Sequence, residues 1–295
     1  MNIFGILGAL LICGVWLEFL RRLDVFEPEK WKYSIMATSL GALFTFFLMI
    51  VISLPVIRDI QTNGDPIHDL LFYIFRVGLL EEVVKIIPLF IMLSITKEID
   101  EPYDFLKFAM CSALGFATLE NISYFNEHGS EIIDKRAYIS VVGHLSFTCC
   151  FAYGFIRKQM FGTGNQWVNI FLFGFIAIVL HGLFDFFISS DGLFIFFVLL
   201  AYFLVIMLRN MMNTALNFSP FFDQVHSSKI QLAFIWLLRG LISVFVFAFF
   251  AIAIEKGMEE AFAFLFGNII LSGTLIFLLP GKLSKFVLEK KTTKI

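Results

Sequence analysis

The sequence predicts an all-α protein: a polytopic transmembrane helical bundle of about nine spans, with its N-terminus outside and its C-terminus cytoplasmic. Three observations predict it. Of 295 residues, 59% are hydrophobic and only 16% charged, with a mean hydropathy of +0.87, whereas a soluble domain carries about 25% charged residues. Apolar runs near membrane length recur nine times along the chain. The Lys and Arg residues between those runs favour alternate connections.

A membrane span needs about 20 mainly apolar residues. Such runs lie at 3–20, 33–56, 72–95, 106–124, 138–156, 168–188, 192–208, 231–254 and 260–280. No positive residue precedes the first run, and Arg21 and Arg22 follow it, the reverse of a secretory signal; it is expected to be a retained span. The fourth run is broken by polar residues but carries Ala109, Ala113 and Ala117 at i, i+4 and i+8. That small-residue stripe permits close helix contact and marks a central helix. Segment 125–137, with Glu127, Glu131 and Asp134, reads as a polar outer loop, and 209–230 as the longest cytoplasmic connection. The forty Phe residues read as lipid-facing and packing bulk. Cys13, Cys111, Cys149 and Cys150 sit in apolar stretches, where they behave as small hydrophobes rather than a disulfide framework.

Charge tests this map. Placing the N-terminus outside puts fifteen Lys and Arg residues on the cytoplasmic side, including Lys282, Lys285, Lys290, Lys291 and Lys294 of the tail. Four remain outside: Arg58, Lys135, Arg136 and Lys256. That bias is the one membrane insertion selects. The net charge of −2, with no basic tract, argues against nucleic acid as a partner. The chain reads as a single integral membrane domain, 1–295. Within it, 72–190 is the catalytic helical core and 191–295 supplies accessory spans and the basic cytoplasmic tail.

Ionisable residues inside spans are costly and point to function. The third run contains Glu81-Glu82-Val-Val-Lys85. Lys85 is i+4 from Glu81 and i+3 from Glu82, so it can neutralise either. One lysine against two carboxylates leaves an acid free to accept a proton from water. Pro88 removes the helical partner of the Val84 carbonyl and favours a kink there. Glu120 follows at the outer end of the fourth run, His144 stands in the fifth, and His181 and Asp185 share a helix face in the sixth. The bland readings are a packing ion pair, an interfacial glutamate, a hydrogen-bonded core histidine and a helix cap. A rise of about 1.5 Å per residue places all of these groups in the same outer half of the bilayer. Convergence in depth from four successive helices favours one site. Arg76 could pair with Asp69, while His68, His128 and His226 fall in connections.

Glu81-Glu82-x-x-Lys85, Phe116-x-x-x-Glu120, His144 and His181-x-x-x-Asp185, in that order on successive helices, resemble the PrsW family, relatives of the type II CAAX proteases and bacteriocin-processing enzymes. The resemblance covers about 72–190; runs one, two and seven to nine carry no matching motif. It implies an intramembrane endopeptidase of a bacterial cell membrane that cuts single-pass membrane proteins, such as anti-sigma factors, on the extracytoplasmic side. Glu120 and Asp185 stand where the CAAX branch carries His and often Asn, which speaks against a prenylated substrate.

The expected chemistry is peptide hydrolysis. Glu81 activates water, Glu82 and Lys85 set its charge, His144, His181 and Glu120 bind or polarise the reacting groups, and Asp185 positions His181. Two histidines with carboxylates and an open position also make a catalytic zinc set, with His144, His181 and Glu120 as candidate ligands. Lys85 beside the carboxylates favours a metal-free site. The rivals are a non-catalytic scaffold of the same fold and a proton-coupled transporter; the latter more often shows repeated halves and broken helices, neither of which is visible here.

Overall fold

The computed structural model describes residues 2–162, 164–190 and 192–292; Lys294, counted above in the tail, lies outside the described residues. Among them there is helix and no strand. Nine long helices follow one another: α1 (Ile3–Leu23), α2 (Trp31–Ser53), α3 (Leu79–Ile95), α4 (Pro102–His128), α5 (Val141–Phe161), α6 (Gln166–Ser189), α7 (Phe194–Asn217), α8 (Ile230–Lys256) and α9 (Met258–Leu283). Among the described residues, seven helical segments are long and apolar enough to cross a membrane. α3 and α4 are not among them. They are the helices that carry Glu81, Glu82 and Lys85, and Asp104, Lys107 and Glu120.

α4 and α5 form the centre. Ala109, Ala113 and Ala117 of α4 are all buried, as their spacing predicts. α2 crosses α4 with its backbone in contact. A Cβ on Gly115 would lie 1.9 Å from the Thr38 carbonyl oxygen, and one on Gly41 2.1 Å from that of Ser112. Only glycine permits that approach. α1 and α8 close the far side, where Trp16 Nε1 donates to the Ala137 carbonyl at 3.1 Å and Tyr138 Oη to that of Leu241 at 3.2 Å. Exposed Phe and Leu side chains cover the outward faces of α2, α6, α7 and α9, among them Phe46, Phe171, Phe194 and Phe266.

The connections differ from the sequence reading. Segment 125–137 is not an open polar loop: α4 runs on to His128, and short helices at Ser130–Ile132 and Ile133–Lys135 follow. Asp134 is buried and accepts from Ser272 Oγ at 2.5 Å. Segment 209–230 is mostly helix, because α7 continues to Asn217; polar Arg209, Asn210 and Asn213 lie inside that helix, and Asn213 Oδ1 accepts from the Val287 amide at 2.9 Å. Asp69 accepts from the amides of Asn63 and Gly64 and from His68, so it folds its own loop and Arg76 is not its partner.

Two π-helical turns lead straight into the motif-bearing helices: Phe72–Gly78 runs into α3, and Arg136–Ser140 into α5. Such insertions recur at functional sites because they re-aim the side chains that follow.

Candidate active site

The backbone places the polar motifs at one end of the bundle. The π turn before α3 lies directly on α6. A Cβ on Gly182 would be 2.5 Å from Ile74 Cα, and one on Gly78 2.7 Å from the Ile178 carbonyl oxygen. That contact carries His181, the neighbour of Gly182, onto the face of α3 that holds the acid pair. From α4, Ser112 Oγ donates to the Lys85 carbonyl at 2.7 Å, fixing the helix backbone one turn before Pro88.

Lys85 is the hub. Its Nζ donates to Glu81 Oε2 at 3.2 Å, to Glu82 Oε1 at 2.9 Å and to His144 Nδ1 at 2.9 Å, with the Phe116 ring 4.0 Å away. Three partners account for all three ammonium protons. Glu82 is saturated in turn: Oε1 also accepts from His181 Nδ1 at 2.8 Å, and Oε2 from Thr148 Oγ1 at 2.8 Å. Phe147 stacks on the His181 ring at 4.7 Å and 14°, which leaves the imidazole little freedom to turn.

The remaining edge of His181 is the open one. Its Nε2 lies 3.5 Å from Glu81 Oε2 and 3.5 Å from Asp185 Oδ2, long for direct hydrogen bonds and suited to a bridging water or metal. The Glu81 side chain keeps 14% of its surface exposed and Asp185 27%, while Glu82 and Lys85 keep none. Of the adjacent acids, therefore, only Glu81 can meet a substrate.

His144 completes the group. With Lys85 on Nδ1, its Nε2 donates to Glu120 Oε2 at 2.8 Å, a partner on the neighbouring helix. Glu120 is held from the other side by Arg136 Nη2, and Arg136 Nε donates to Asn121 Oδ1 at 2.7 Å. The guanidinium also covers the Tyr124 ring at 4.1 Å. All seven residues named from the sequence are brought together. The sequence reading missed Arg136, Thr148 and Asn121, and it gave Asp185 the orienting role that Glu82 performs at shorter range. Thr148 lies four residues after His144, on its face of α5; that spacing was its signal. Arg136 was counted only as a loop charge.

The donor chemistry fits a metal. One ligand atom each from Glu81, His144 and His181 lies within 4.8 Å of the others, contributed by three helices. The Glu82 carboxylate on His181 Nδ1 is the support that metal-bound imidazoles ordinarily have. Glu120 is outside that set, and His144 would join it by giving up its contact with Lys85 or with Glu120.

Comparison with known proteins falls on the same residues. Residues 29–209 match the family described as PrsW family intramembrane metalloprotease, more than half the chain and every residue of the site. The chain belongs to the PrsW family. The match reaches beyond the motif-bearing core to α2 and into α7, and leaves α1, α8 and α9 outside. Protease PrsW of Geobacillus kaustophilus is 27% identical over 183 residues, 62% of this chain and 79% of that protein. Protease PrsW of Shouchella clausii is 27% identical over 131 residues, 44% and 60% of the two chains. That of Clostridioides difficile is 31% identical over 134 residues, 44% and 56%. The chain thus spans between about half and four fifths of the length of these PrsW relatives. No solved structure matches it.

Proposed function

We propose that this PrsW-family chain is an intramembrane endopeptidase that hydrolyses a peptide bond of a membrane-protein substrate in the outer leaflet, with Glu81 activating the attacking water. The observation that carries the reading is the asymmetry of the acid pair. Glu82 is buried and fully occupied by Lys85, His181 and Thr148, whereas Glu81 is partly exposed and faces the open edge of His181. A cluster serving only as helix glue needs no exposed carboxylate.

In this reading Glu81 takes a proton from water as the oxygen attacks the carbonyl carbon, and returns it to the amide nitrogen as the C–N bond breaks. Lys85, fixed by three partners, holds the Glu81 carboxylate in place and offsets its charge. His181, aligned by Glu82 and Phe147, and Asp185 line the point where the water is held. His144, Glu120 and Arg136 form the charged wall beyond it. A zinc ion here would be held by His144 and His181 with Glu81 beside it, and would supply Lewis-acid polarisation and a more acidic water.

Nine crossings with the N-terminus outside are the topology this reading needs. The fifteen-to-four charge bias supports it, as does the gathering of four helices' polar groups at one end of the bundle. By family resemblance the substrate is a single-pass membrane protein of the anti-sigma-factor kind, with membrane lipid as the surrounding partner. Helices α7 to α9 then serve as accessory spans. Mass spectrometry of the fragments of a single-pass substrate, co-reconstituted in oriented vesicles, tests the location. A cut in the outer half of the substrate's span is expected, and a cut at its cytoplasmic end would refute it.

A further inference from the structure

At the opposite end of the bundle lies a second polar cluster that the proteolytic reading does not use. Asp104, in the first turn of α4, is sixteen residues from Glu120, roughly 24 Å along the helix. Around it stand Asp24 and Glu29 from the α1–α2 connection and Glu101, the N-cap of α4. All four are buried, Glu29 with 5% of its surface exposed. One buried cation serves them: Lys107 Nζ donates to Asp24 Oδ2 at 2.6 Å and Asp104 Oδ1 at 3.0 Å. The neighbouring Arg21 is committed to Glu18 at 2.7 Å.

An ordinary buried ion pair would end there, with its lone pairs satisfied. This one does not. Asp24 Oδ1, Glu101 Oε1 and both carboxylate oxygens of Glu29 are buried without a hydrogen-bond partner among the described residues. Burying carboxylate oxygens in this way costs free energy unless a partner is supplied. One carboxylate oxygen each from Asp24, Glu101 and Asp104 lies within 4.8 Å of the others, about twice a Ca–O distance of roughly 2.4 Å. Glu27, Asp100 and Asp104 form an overlapping group at the same spacing. The Glu29 amide donates to Asp24 Oδ2 at 3.2 Å, which places this residue beside the group.

We infer that this cluster is a binding site for a hard divalent cation, Ca²⁺ or Mg²⁺, held by Asp24, Glu101 and Asp104, with Glu29 beside them. The donors are all oxygens, which selects hard cations over zinc or copper. A bound cation would hold these carboxyls ionised, and they outnumber the single ammonium of Lys107, so a divalent ion is balanced beside it. Ser219 Oγ donates to Glu101 Oε2, so the ion would tie the α1–α2 connection, the start of α4 and the α7–α8 connection into one joint.

Thermal unfolding of the purified full chain in detergent, stripped with a chelator and titrated with CaCl₂ or MgCl₂ alone at pH 8, tests this. The midpoint should rise by about 5 °C at saturation in the wild type and equally in Glu81→Gln, whose altered carboxylate lies at the other end. Asp24→Asn and Glu101→Gln should abolish the shift. Should either fail to fold, Glu29→Gln, which removes a carboxylate beside the cluster, should weaken calcium or magnesium binding at least tenfold by calorimetry. The site is refuted by a wild type indifferent to both ions at millimolar concentration, by an undiminished shift in the variants, or by loss of the shift in Glu81→Gln.

Discussion

His181 Nδ1 lies 2.8 Å from Glu82 Oε1, while its Nε2 is 3.5 Å from Asp185 Oδ2, so the imidazole is oriented from the neighbouring helix rather than from its own. The first prediction follows from that difference. Glu82→Gln keeps the shape but misplaces a donor against His181 or Lys85, and substrate cleavage should fall by about 10²-fold, the upper range for such supporting carboxylates. Asp185→Asn should cost about tenfold or less. Initial rates on one substrate check the order, and the reverse order would return the orienting role to Asp185.

Lys85 is fully buried between two carboxylates and a histidine. Lys85→Met removes the only ammonium in the group and leaves Glu81 and Glu82 uncompensated. Breaking a buried pair from one side costs about 3–5 kcal/mol, so the variant should unfold well below the wild type in detergent. Wild-type thermal stability would mean that the carboxylates are neutralised by something else.

Arg136 holds Glu120 and Asn121 from the first residue of the π turn before α5. Arg136→Leu should lower cleavage about tenfold or more with the fold retained, and Arg136→Lys should not fully restore it, because one ammonium cannot reproduce the forked contact. Full activity in Arg136→Leu would reduce the residue to a surface anchor.

These residues were not equally legible beforehand. Glu81, Glu82, Lys85, His144, His181 and Asp185 stand out because charge inside an apolar run has few bland explanations. Helix rise puts Glu120 and His144 in the same outer half of the bilayer, and the fold brings them into contact. Arg136 did not, since before the chain folds it is one more basic residue outside a span; the π turn that carries it inward has no sequence signature of its own. Ser112 is a small hydroxyl in mid-helix, too common to single out, and Thr148 stands out only by sharing the His144 face. The acidic cluster was invisible for a different reason: Asp24 and Glu101 are 77 positions apart, and each looks like an ordinary connection residue until α1 and α4 meet.

That cluster sets a pH dependence outside the membrane spans. Burial pushes the Glu101 carboxyl up to about 8, Asp104 up to about 7 and Glu29 up to about 9. Unfolded Asp and Glu titrate near about 4, so the folded state holds these protons more tightly. Their contribution is fully present below the unfolded values and is lost as pH rises through 7 to 9. With chelator present, the unfolding midpoint should fall between pH 6 and pH 9. A midpoint that climbs across that interval would contradict the assignment.

The central claim is that Glu81 is the proton acceptor of a peptide-hydrolysing site. Purified wild type and Glu81→Gln, reconstituted with one single-pass substrate and matched for folding by thermal unfolding, test it most directly. The wild type should release two fragments, and the near-isosteric glutamine variant should cut at least 10²-fold more slowly. A folded Glu81→Gln protein that cleaves at the wild-type rate would contradict the account.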